Sequence, residues 1–367
     1  MTEQELSAYI QAIRPADEAA MEAARRRQAQ LAKPPGSLGR LEEISIRLAG
    51  VTGQVCPAMG KCRVAVFAAD NGVVAEGVSC TPPAVTLQQA VNMTFRKTGM
   101  SAMAAAFGDD VSVVDVGIDG DVPPVGVLDR KVRRGTGDIA REDAMTRQQV
   151  LDAMAAGMEQ AARARADGVT ALGIGEMGIG NTTTSAAVLA ALTGADIEAV
   201  TGRGGGLTDE GFLRKKEVLR QALALHRPDG NDVIGVLAGV GGLDLAAMTG
   251  AFLGCAHERV PAAVDGFISI AAALCAVRLC PAVRDVLFLS HDSYEVGYRI
   301  AAEALGLQPC LRLGMRLGEG SGCPLLFRVL EGACGVMRGM ATFGEASIED
   351  SYLDEIRAVD AFTVEGA

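Results

Sequence analysis

The run Arg63-Val64-Ala65-Val66-Phe67-Ala68-Ala69-Asp70 decides the fold class. A short apolar segment that ends in an acidic turn is typical of a buried parallel strand. Four later segments repeat this pattern, and between them lie segments long enough to form helices. The alternation predicts an α/β protein with a parallel sheet and helices on its faces. The other predicted strands are 111–116, 170–174, 233–238 and 286–290, and the predicted helices are 86–107, 144–166, 182–192, 209–225 and 243–257.

The two ends of the chain have a different character. Residues 2–50 have the apolar spacing of helices, and residues 347–363 are polar and helical in character. We therefore expect a small helical domain formed by 1–60 with 345–367, and a large α/β domain formed by 61–344. Within the large domain, we interpret 117–138 as a surface excursion that could act as an active-site flap.

Composition excludes several classes of function. The chain has 34 Lys and Arg against 45 Asp and Glu, a formal charge of −11, so nucleic acid is not an expected partner. Nine scattered cysteines without Cys-x-x-Cys spacing, and only three histidines, argue against structural zinc and for buried thiols in a reducing compartment. The N-terminus has no signal-peptide pattern, and the longest apolar run, 267–277, is too short to span a bilayer. We expect a cytoplasmic protein without a membrane partner.

Ligands on parallel sheets bind beyond the carboxyl ends of the strands, so the loops there should carry the chemistry. The stretch 173–185 joins a strand end, three glycines and a helix start, which is the pattern of a phosphate cradle. The alternative is a capped helix with turn glycines. In this stretch the candidate ligands are Glu176, Gly178, Gly180, Asn181 and Thr182.

A single carboxylate, Glu319, stands between two glycines in the stretch 313–322. Little side-chain bulk surrounds it, so a flat ligand could reach its oxygens, and the pattern suits a general base. A solvated glutamate in a surface turn is the alternative. The residues before it, Leu317 and Gly318, are candidate substrate contacts.

Three further signals are weaker alone. Lys215 follows a Gly-rich stretch and could neutralise a phosphate, although on its own it is better explained as part of a solvated helix face. Ser290-His291-Asp292-Ser293 is not a hydrolase triad, because adjacent residues on one turn do not converge, but Ser293 could donate to a ribose or a phosphate. Gln88 could offer its amide to a heterocycle.

Seven motifs in order resemble the nicotinate-nucleotide–dimethylbenzimidazole phosphoribosyltransferase family across nearly the whole chain. They are Lys33-Pro34-Pro35-Gly36-Ser37-Leu38-Gly39, 67–73, 85–88, 173–183, 241–248, 265–268 and 315–322.

The resemblance implies an open Rossmann-like sheet with a small helical domain, a homodimer, and no metal or organic cofactor. It implies transfer of ribose 5-phosphate from nicotinate mononucleotide to 5,6-dimethylbenzimidazole, with Glu319 as the catalytic base. Glu176, Lys215 and the 178–183 loop would bind the ribosyl phosphate, Gln88 would belong to the base pocket, and Asp265 would be a supporting acid.

The sequence departs from the family pattern at three positions, where Asn71 replaces His, Ser321 replaces Thr and Tyr294 replaces Ala. These changes leave open another acceptor, such as a different benzimidazole, a purine or a phenol, and a second homologous subunit. Two more possibilities stay open from the sequence: a catalytically silent binding subunit and, outside the family, a dinucleotide-binding oxidoreductase.

Overall fold

Six parallel strands cross the centre of the protein, whose computed structural model describes residues 1–123 and 125–358. Each neighbouring pair of strands is parallel, and the spatial order is β3-β2-β1-β4-β5-β6. The predicted α/β fold class is confirmed. The strands are β1 (Cys62–Ala69), β2 (Asp110–Gly117), β3 (Val127–Asp129), β4 (Ala171–Met177), β5 (Ala262–Val264) and β6 (Leu287–Leu289).

Helices cover both faces of this sheet and extend beyond it at the chain ends. Their boundaries follow local signals: α6, for example, begins after Thr146, whose hydroxyl accepts from the backbone N–H of Gln149 in a capping box. The helices are α1 (Glu3–Ala12), α2 (Glu18–Gln30), α3 (Arg40–Thr52), α4 (Val85–Thr94), α5 (Gly99–Phe107), α6 (Arg147–Ala166), α7 (Asn181–Thr193), α8 (Ile197–Val200), α9 (Asp209–His226), α10 (Val233–Val240), α11 (Leu243–Glu258), α12 (Phe267–Leu279), α13 (Gly297–Leu305), α14 (Cys323–Gly339) and α15 (Asp354–Ala358).

Helices α6 and α11 approach each other closely because glycines face the contact. A Cβ atom on Gly157 would lie 1.8 Å from the carbonyl oxygen of Ala247, and one on Gly250 would lie 2.0 Å from that of Met154. Any side chain at either position would therefore force the helices apart. This contact fixes the start of α11, which lies beneath the candidate site.

Two predicted elements were wrong, and a short strand was missed. The apolar run 233–238, predicted as a strand, is the helix α10, since a short apolar segment buried on all sides has the same pattern in either conformation. The single helix predicted over 86–107 is two, α4 and α5, separated where Arg96 takes a left-handed φ of 59°. The fifth strand, β5, has only three residues and was not predicted.

The long excursion 117–138 carries β3, which extends the sheet at its edge. Hydrogen bonds from Lys131 connect the two ends of this segment, because its Nζ donates to the carbonyl oxygens of Ile118 and Gly120, each at 2.7 Å. None of the described residues of 117–138 lines the candidate cavity.

A second, small apolar cluster connects the N-terminal helices to the end of α14. Residues from α2 and α3 pack there against Met337, and an isolated bridge pairs Leu31 with Thr342. On the C-terminal side, both contacts are made by residues of the predicted large domain, so the division into 1–60 with 345–367 and 61–344 stays a prediction. Part of the predicted helix over 347–363 lies outside the described residues, beyond Ala358.

Candidate active site

A cavity of about 240 Å³ opens at the carboxyl edge of the sheet, where the order of strands reverses between β1 and β4. Open parallel sheets bind ligands at this position. Four loop segments supply most of its wall: 176–182 after β4, 266–268 after β5, 291–295 after β6, and 316–319 before α14. The cavity therefore lies where the sequence predicted chemistry.

The turn that carries Glu319 is left-handed over three consecutive residues. Gly318, Glu319 and Gly320 have φ angles of 83°, 63° and 85°. Glycine adopts this conformation freely, but at Glu319 it costs about 1 kcal/mol or more. Contacts from other parts of the protein must therefore stabilise the turn against this cost.

Two buried acids accept hydrogen bonds from the backbone of the turn that carries Glu319. The Oε1 atom of Glu176 accepts from the backbone N–H of Glu319 at 3.4 Å. The carboxylate of Asp265 accepts from Gly320 N at 3.0 Å and from Gly322 N at 2.7 Å. Burial raises the pKa of the Asp265 carboxyl, while the imidazole of His291, whose Nδ1 lies 3.8 Å away, opposes that rise.

The carboxylate of Glu319 itself is anchored by one oxygen. Its Oε2 accepts from the backbone N–H of Met100 at 3.1 Å, at the first turn of α5. The side chain is 5% exposed. Its Oε1 receives no hydrogen bond from the described part of the chain, so that one oxygen remains available to accept a proton from a ligand.

The amide group of Asn181 connects Glu176, which lines the cavity, to a second carboxylate, Asp244, that lies behind the cavity wall. The Nδ2 atom of Asn181 donates to Oε2 of Glu176 and, at 2.9 Å, to Oδ2 of Asp244. Burial raises the pKa of Glu176 to about 8, and the negative charges of Asp244 and Asp265 add to the effect. Burial raises the pKa of Asp244 to about 6. Glu176 is therefore a neutral acid at pH 7, able to donate a hydrogen bond.

The phosphate cradle predicted from the glycines lies beside these two carboxylates. Helix α7 begins at Asn181, directly after Gly180, whose φ is 93°. Lys215 lies behind the start of α7, and its Nζ donates to Thr182 Oγ1 at 2.9 Å and to Gly202 O at 3.1 Å. Burial lowers the pKa of Lys215 to about 8, and the negative charge of Glu295 opposes that shift. An anion at the helix start would gain both the helix dipole and this cation.

The sequence and the fold resemble those of known proteins. A family model described as "Phosphoribosyltransferase" matches residues 13–348. A nicotinate-nucleotide–dimethylbenzimidazole phosphoribosyltransferase from Clostridium perfringens strain 13 is 46% identical over 341 residues, which are 93% of this chain and 94% of that protein. The enzyme of the same name from Geobacter metallireducens is 46% identical over 347 residues, 94% of this chain and 98% of that protein. A crystal structure of the Thermus thermophilus enzyme of that name superimposes with a TM-score of 0.87 at 44% identity, covering 91% of this chain and 100% of that one.

This chain belongs to the nicotinate-nucleotide–dimethylbenzimidazole phosphoribosyltransferase family. It is therefore a phosphoribosyltransferase, an enzyme of the pentosyltransferase class that acts on small molecules. The oxidoreductase alternative is excluded by this membership. Among residues 1–123 and 125–358, no group of three or more His, Cys, Asp or Glu side chains is arranged to hold a metal ion. The helices of that same part include none long and apolar enough to cross a membrane.

Most of the site residues selected from the sequence meet at one cavity. Two others, Lys215 and Asp265, lie directly behind its wall and contact residues of the loops that form it. Gln88 is exposed and does not line the cavity, whereas its neighbour Gln89 does. The cavity-lining members of the selected set are Glu176, Gly178, Gly180, Asn181, Thr182, Ser293, Leu317, Gly318 and Glu319.

Sequence reasoning missed several residues. Asp244 lies in a motif that was recognised, but only the tertiary structure brings it to Asn181. The backbone N–H of Met100, the donor to Glu319, has no sequence signal at all. Arg203 and Arg316 are two cations that line the cavity, and both lie in loops that contain glycines. A loop sequence does not show which way a side chain points.

Two departures from the family pattern have distinct locations. Asn71 is buried beneath the 178–180 loop, where its Nδ2 donates to Ile179 O at 3.4 Å. Tyr294 is 68% exposed and does not line the candidate cavity, but the guanidinium carbon of Arg316, a residue of the cavity wall, lies 5.4 Å from its ring centre. The first change therefore affects the support of the cradle, and the second affects a neighbour of a cavity-lining cation.

Proposed function

We propose that this enzyme transfers ribose 5-phosphate from nicotinate mononucleotide to 5,6-dimethylbenzimidazole, giving α-ribazole 5′-phosphate and nicotinate, with Glu319 as general base. The observation that carries the proposal is the state of the Glu319 carboxylate, which has one oxygen anchored to Met100 and the other without a donor among the described residues. The similarity to relatives of this name supplies the two substrates.

The donor would bind with its phosphate at the start of α7. Backbone N–H groups at a helix start favour an anion, and Lys215 adds a buried cation next to Thr182. Ser293 and neutral Glu176 line the same cavity, and both could hydrogen-bond to ribose hydroxyls. The 178–182 loop would thus fix the phosphate while C1′ faces Glu319.

The chemistry requires one proton to be removed. The C1′–nitrogen bond of the pyridinium breaks, and its electron pair passes to the ring nitrogen, so nicotinate leaves without a general acid. An imidazole nitrogen of the acceptor attacks C1′ from the opposite face, and the other nitrogen loses its N–H proton to Glu319. Positive charge develops on the ribose as in other glycosyl transfers, and the anionic carboxylates around the cavity would stabilise it.

The acceptor would lie against apolar side chains of the same cavity. Val85, Leu207, Phe267 and Ile268 line it and could contact a flat aromatic base, with Gln89 as a polar neighbour. A different benzimidazole, a purine or a phenol would present the same requirement for a base, so Glu319 would keep its role with those acceptors.

We also infer that the enzyme works as a homodimer in the cytoplasm. Its nine cysteines are all free, which fits a reducing compartment. Size-exclusion chromatography with light scattering measures the dimer directly, and a monomer mass at working concentration would contradict it.

A chromatographic assay tests the reaction. The purified protein is incubated with nicotinate mononucleotide and, in separate tubes, dimethylbenzimidazole, adenine or a phenol, and nicotinate release and the new ribotide are measured. We expect the highest kcat/KM with dimethylbenzimidazole. A higher kcat/KM with another base would identify that base as the acceptor. If folded protein formed no ribotide with any of the three bases, the proposed transfer would be rejected. The chain would then be a subunit that needs a partner for activity or one that only binds its ligands.

A further inference from the structure

Asp244 is a fully buried carboxylate near the candidate site that has no role in the proposed transfer. It is the second residue of α11, it has 0% exposure, and it does not line the cavity. Its Oδ1 accepts from Leu245 N at 2.9 Å and its Oδ2 accepts from Asn181 at 2.9 Å. A buried carboxylate is costly, so its presence directly behind a cavity-lining residue demands a reason.

The space around Asp244 is kept open by two glycines. A Cβ atom on Gly178 would lie 2.7 Å from Asp244 Oδ2, and one on Gly242 would lie 2.5 Å from Oδ1. The cradle loop therefore rests directly on this carboxylate. Any movement of Asp244 would be transmitted to the loop and to Asn181.

We propose that Asp244 is a positioning residue for the transfer, which holds Asn181 and through it fixes Glu176 against the turn of Glu319. The proposal rests on the function proposed above. The chain of contacts is continuous: Asp244 accepts from the Asn181 amide, the same amide donates to Glu176, and Glu176 accepts from the backbone N–H of Glu319. Three residues, Asp244, Asn181 and Glu176, thus align the Glu319 carboxylate for proton transfer.

The charge of Asp244 has a second effect, because it faces Glu176 across one amide group. With a pKa of about 6 against about 8, Asp244 is the ionised member at pH 7 and Glu176 the protonated one. The N-terminus of α11 favours that charge on Asp244. Asp265 repels a charge on Glu176 in the same direction, and Asp70 repels the charge on Asp244. The other titratable groups that line the cavity among the described residues are Cys80, Arg203, His291, Glu295, Arg316 and Glu319, and Lys215 lies behind its wall.

Removing the charge should therefore lower the pKa of Glu176. The neutral acid is lost as pH rises through that pKa, so the alkaline limb of the profile of kcat against pH, measured at saturating nicotinate mononucleotide so that donor affinity does not contribute, should move to lower pH in Asp244→Asn. A role confined to stabilising α11 would change the melting temperature and leave the limb unmoved.

Two variants and one control test this inference. Asp244→Asn removes the charge and can keep an oxygen acceptor for Asn181, while its amide nitrogen then faces the backbone N–H of Leu245. We therefore expect the shifted alkaline limb, with kcat below it reduced far less than in Asp244→Ala. Asp244→Ala removes the acceptor as well, so we expect kcat to fall by about a hundred-fold with little change in donor KM. Asp109→Asn is the matched control, because Asp109 is also buried, with an Arg328 nitrogen 2.8 Å away, at the opposite edge of the sheet.

The possible outcomes distinguish a failure of the role inferred for Asp244 from a failure of the proposed transfer reaction. An inactive wild type rejects the function. An active wild type whose Asp244→Asn profile overlays those of wild type and Asp109→Asn overturns the role of Asp244. If circular dichroism shows that Asp244→Ala does not fold, the position of the alkaline limb in Asp244→Asn by itself decides whether Asp244 has the inferred role.

Discussion

The Oε2 atom of Glu319 lies 3.1 Å from the backbone nitrogen of Met100, so the candidate base is attached to the start of α5. This contact restricts the rotation of the side chain and leaves only Oε1 for the substrate. Together with the contacts that Glu176 and Asp265 make to the turn, the placement of the candidate base thus depends on a hydrogen bond between residues 219 positions apart in the sequence.

Replacing Glu319 with Gln should abolish most turnover. The amide oxygen can still accept from Met100, so the turn stays in place, but the side chain no longer takes a proton. We expect kcat to fall roughly a hundred- to ten-thousand-fold, with the donor Kd unchanged. Steady-state kinetics and calorimetric titration of nicotinate mononucleotide measure the two effects. Glu303→Gln, on the exposed side of α13, is the control, and near-wild-type turnover in Glu319→Gln would remove the assigned role.

Adding one methyl group at Gly175 should displace the base without touching its side chain. A Cβ atom there would lie 2.7 Å from the carbonyl oxygen of Glu319 and 2.8 Å from Gly320 N, both of which are backbone atoms that cannot rotate away. We expect Gly175→Ala to lower kcat by about a hundred-fold. Gly332→Ala is the control, because nothing lies within 4 Å of its Cβ position on α14. That helical change should raise the free energy of unfolding by up to about 1 kcal/mol, and equal activity in both variants would contradict the prediction.

Donor binding should depend on the charge of Lys215. Burial lowers the pKa of this ammonium to about 8, so the cation is lost from the free enzyme as pH rises through that value. We expect the KM for nicotinate mononucleotide to increase above about pH 8 in the wild type. In Lys215→Met the KM should be high at every pH and should no longer change there. A donor KM in Lys215→Met that equals the wild-type value at pH 7 would show that the phosphate lies elsewhere.

Truncating Asp265 should loosen the turn that carries Glu319. Its two oxygens accept from Gly320 N and Gly322 N inside the protein, and Asp265→Ala leaves both donors buried without a partner. We expect the free energy of unfolding to fall by roughly 2–4 kcal/mol and kcat to fall more than the donor affinity. Urea denaturation and steady-state kinetics provide the two numbers. A variant with normal kcat and reduced stability would limit Asp265 to a structural role.

The sheet and the place of Glu319 at the cavity could be predicted from the sequence because their signals are local. The run 63–70 has the length and polarity of a buried strand, and Gly318-Glu319-Gly320 shows a carboxylate in a turn that only glycine-rich sequence permits. The run 233–238 failed for the opposite reason. Its residues are buried on nearly every side, so neither a period of 2 nor one of 3.6 appears, and the helix α10 has the pattern of a strand.

The supporting contacts of the site could not be predicted, because each joins distant parts of the chain. Asp244 meets Asn181 only once α11 has packed beneath the cradle, and Met100 meets Glu319 only once α5 has docked. The difference between Gln88 and Gln89 is one residue of helix rotation, about 100°. A motif match does not resolve such a rotation, whereas the packed helix does.

The central position of β1 has a consequence for how this chain folds. The strand pairs on one side with β2, which begins at Asp110, and on the other with β4, which ends only at Met177. During synthesis, the edge of the eight-residue strand β1 that pairs with β4 therefore stays unpaired until nearly half of the chain has been made. Non-local pairing of this kind is slow, and an open edge can pair with other nascent chains. Folding yield should accordingly depend on growth temperature and chaperone supply more than the stability of the finished enzyme suggests.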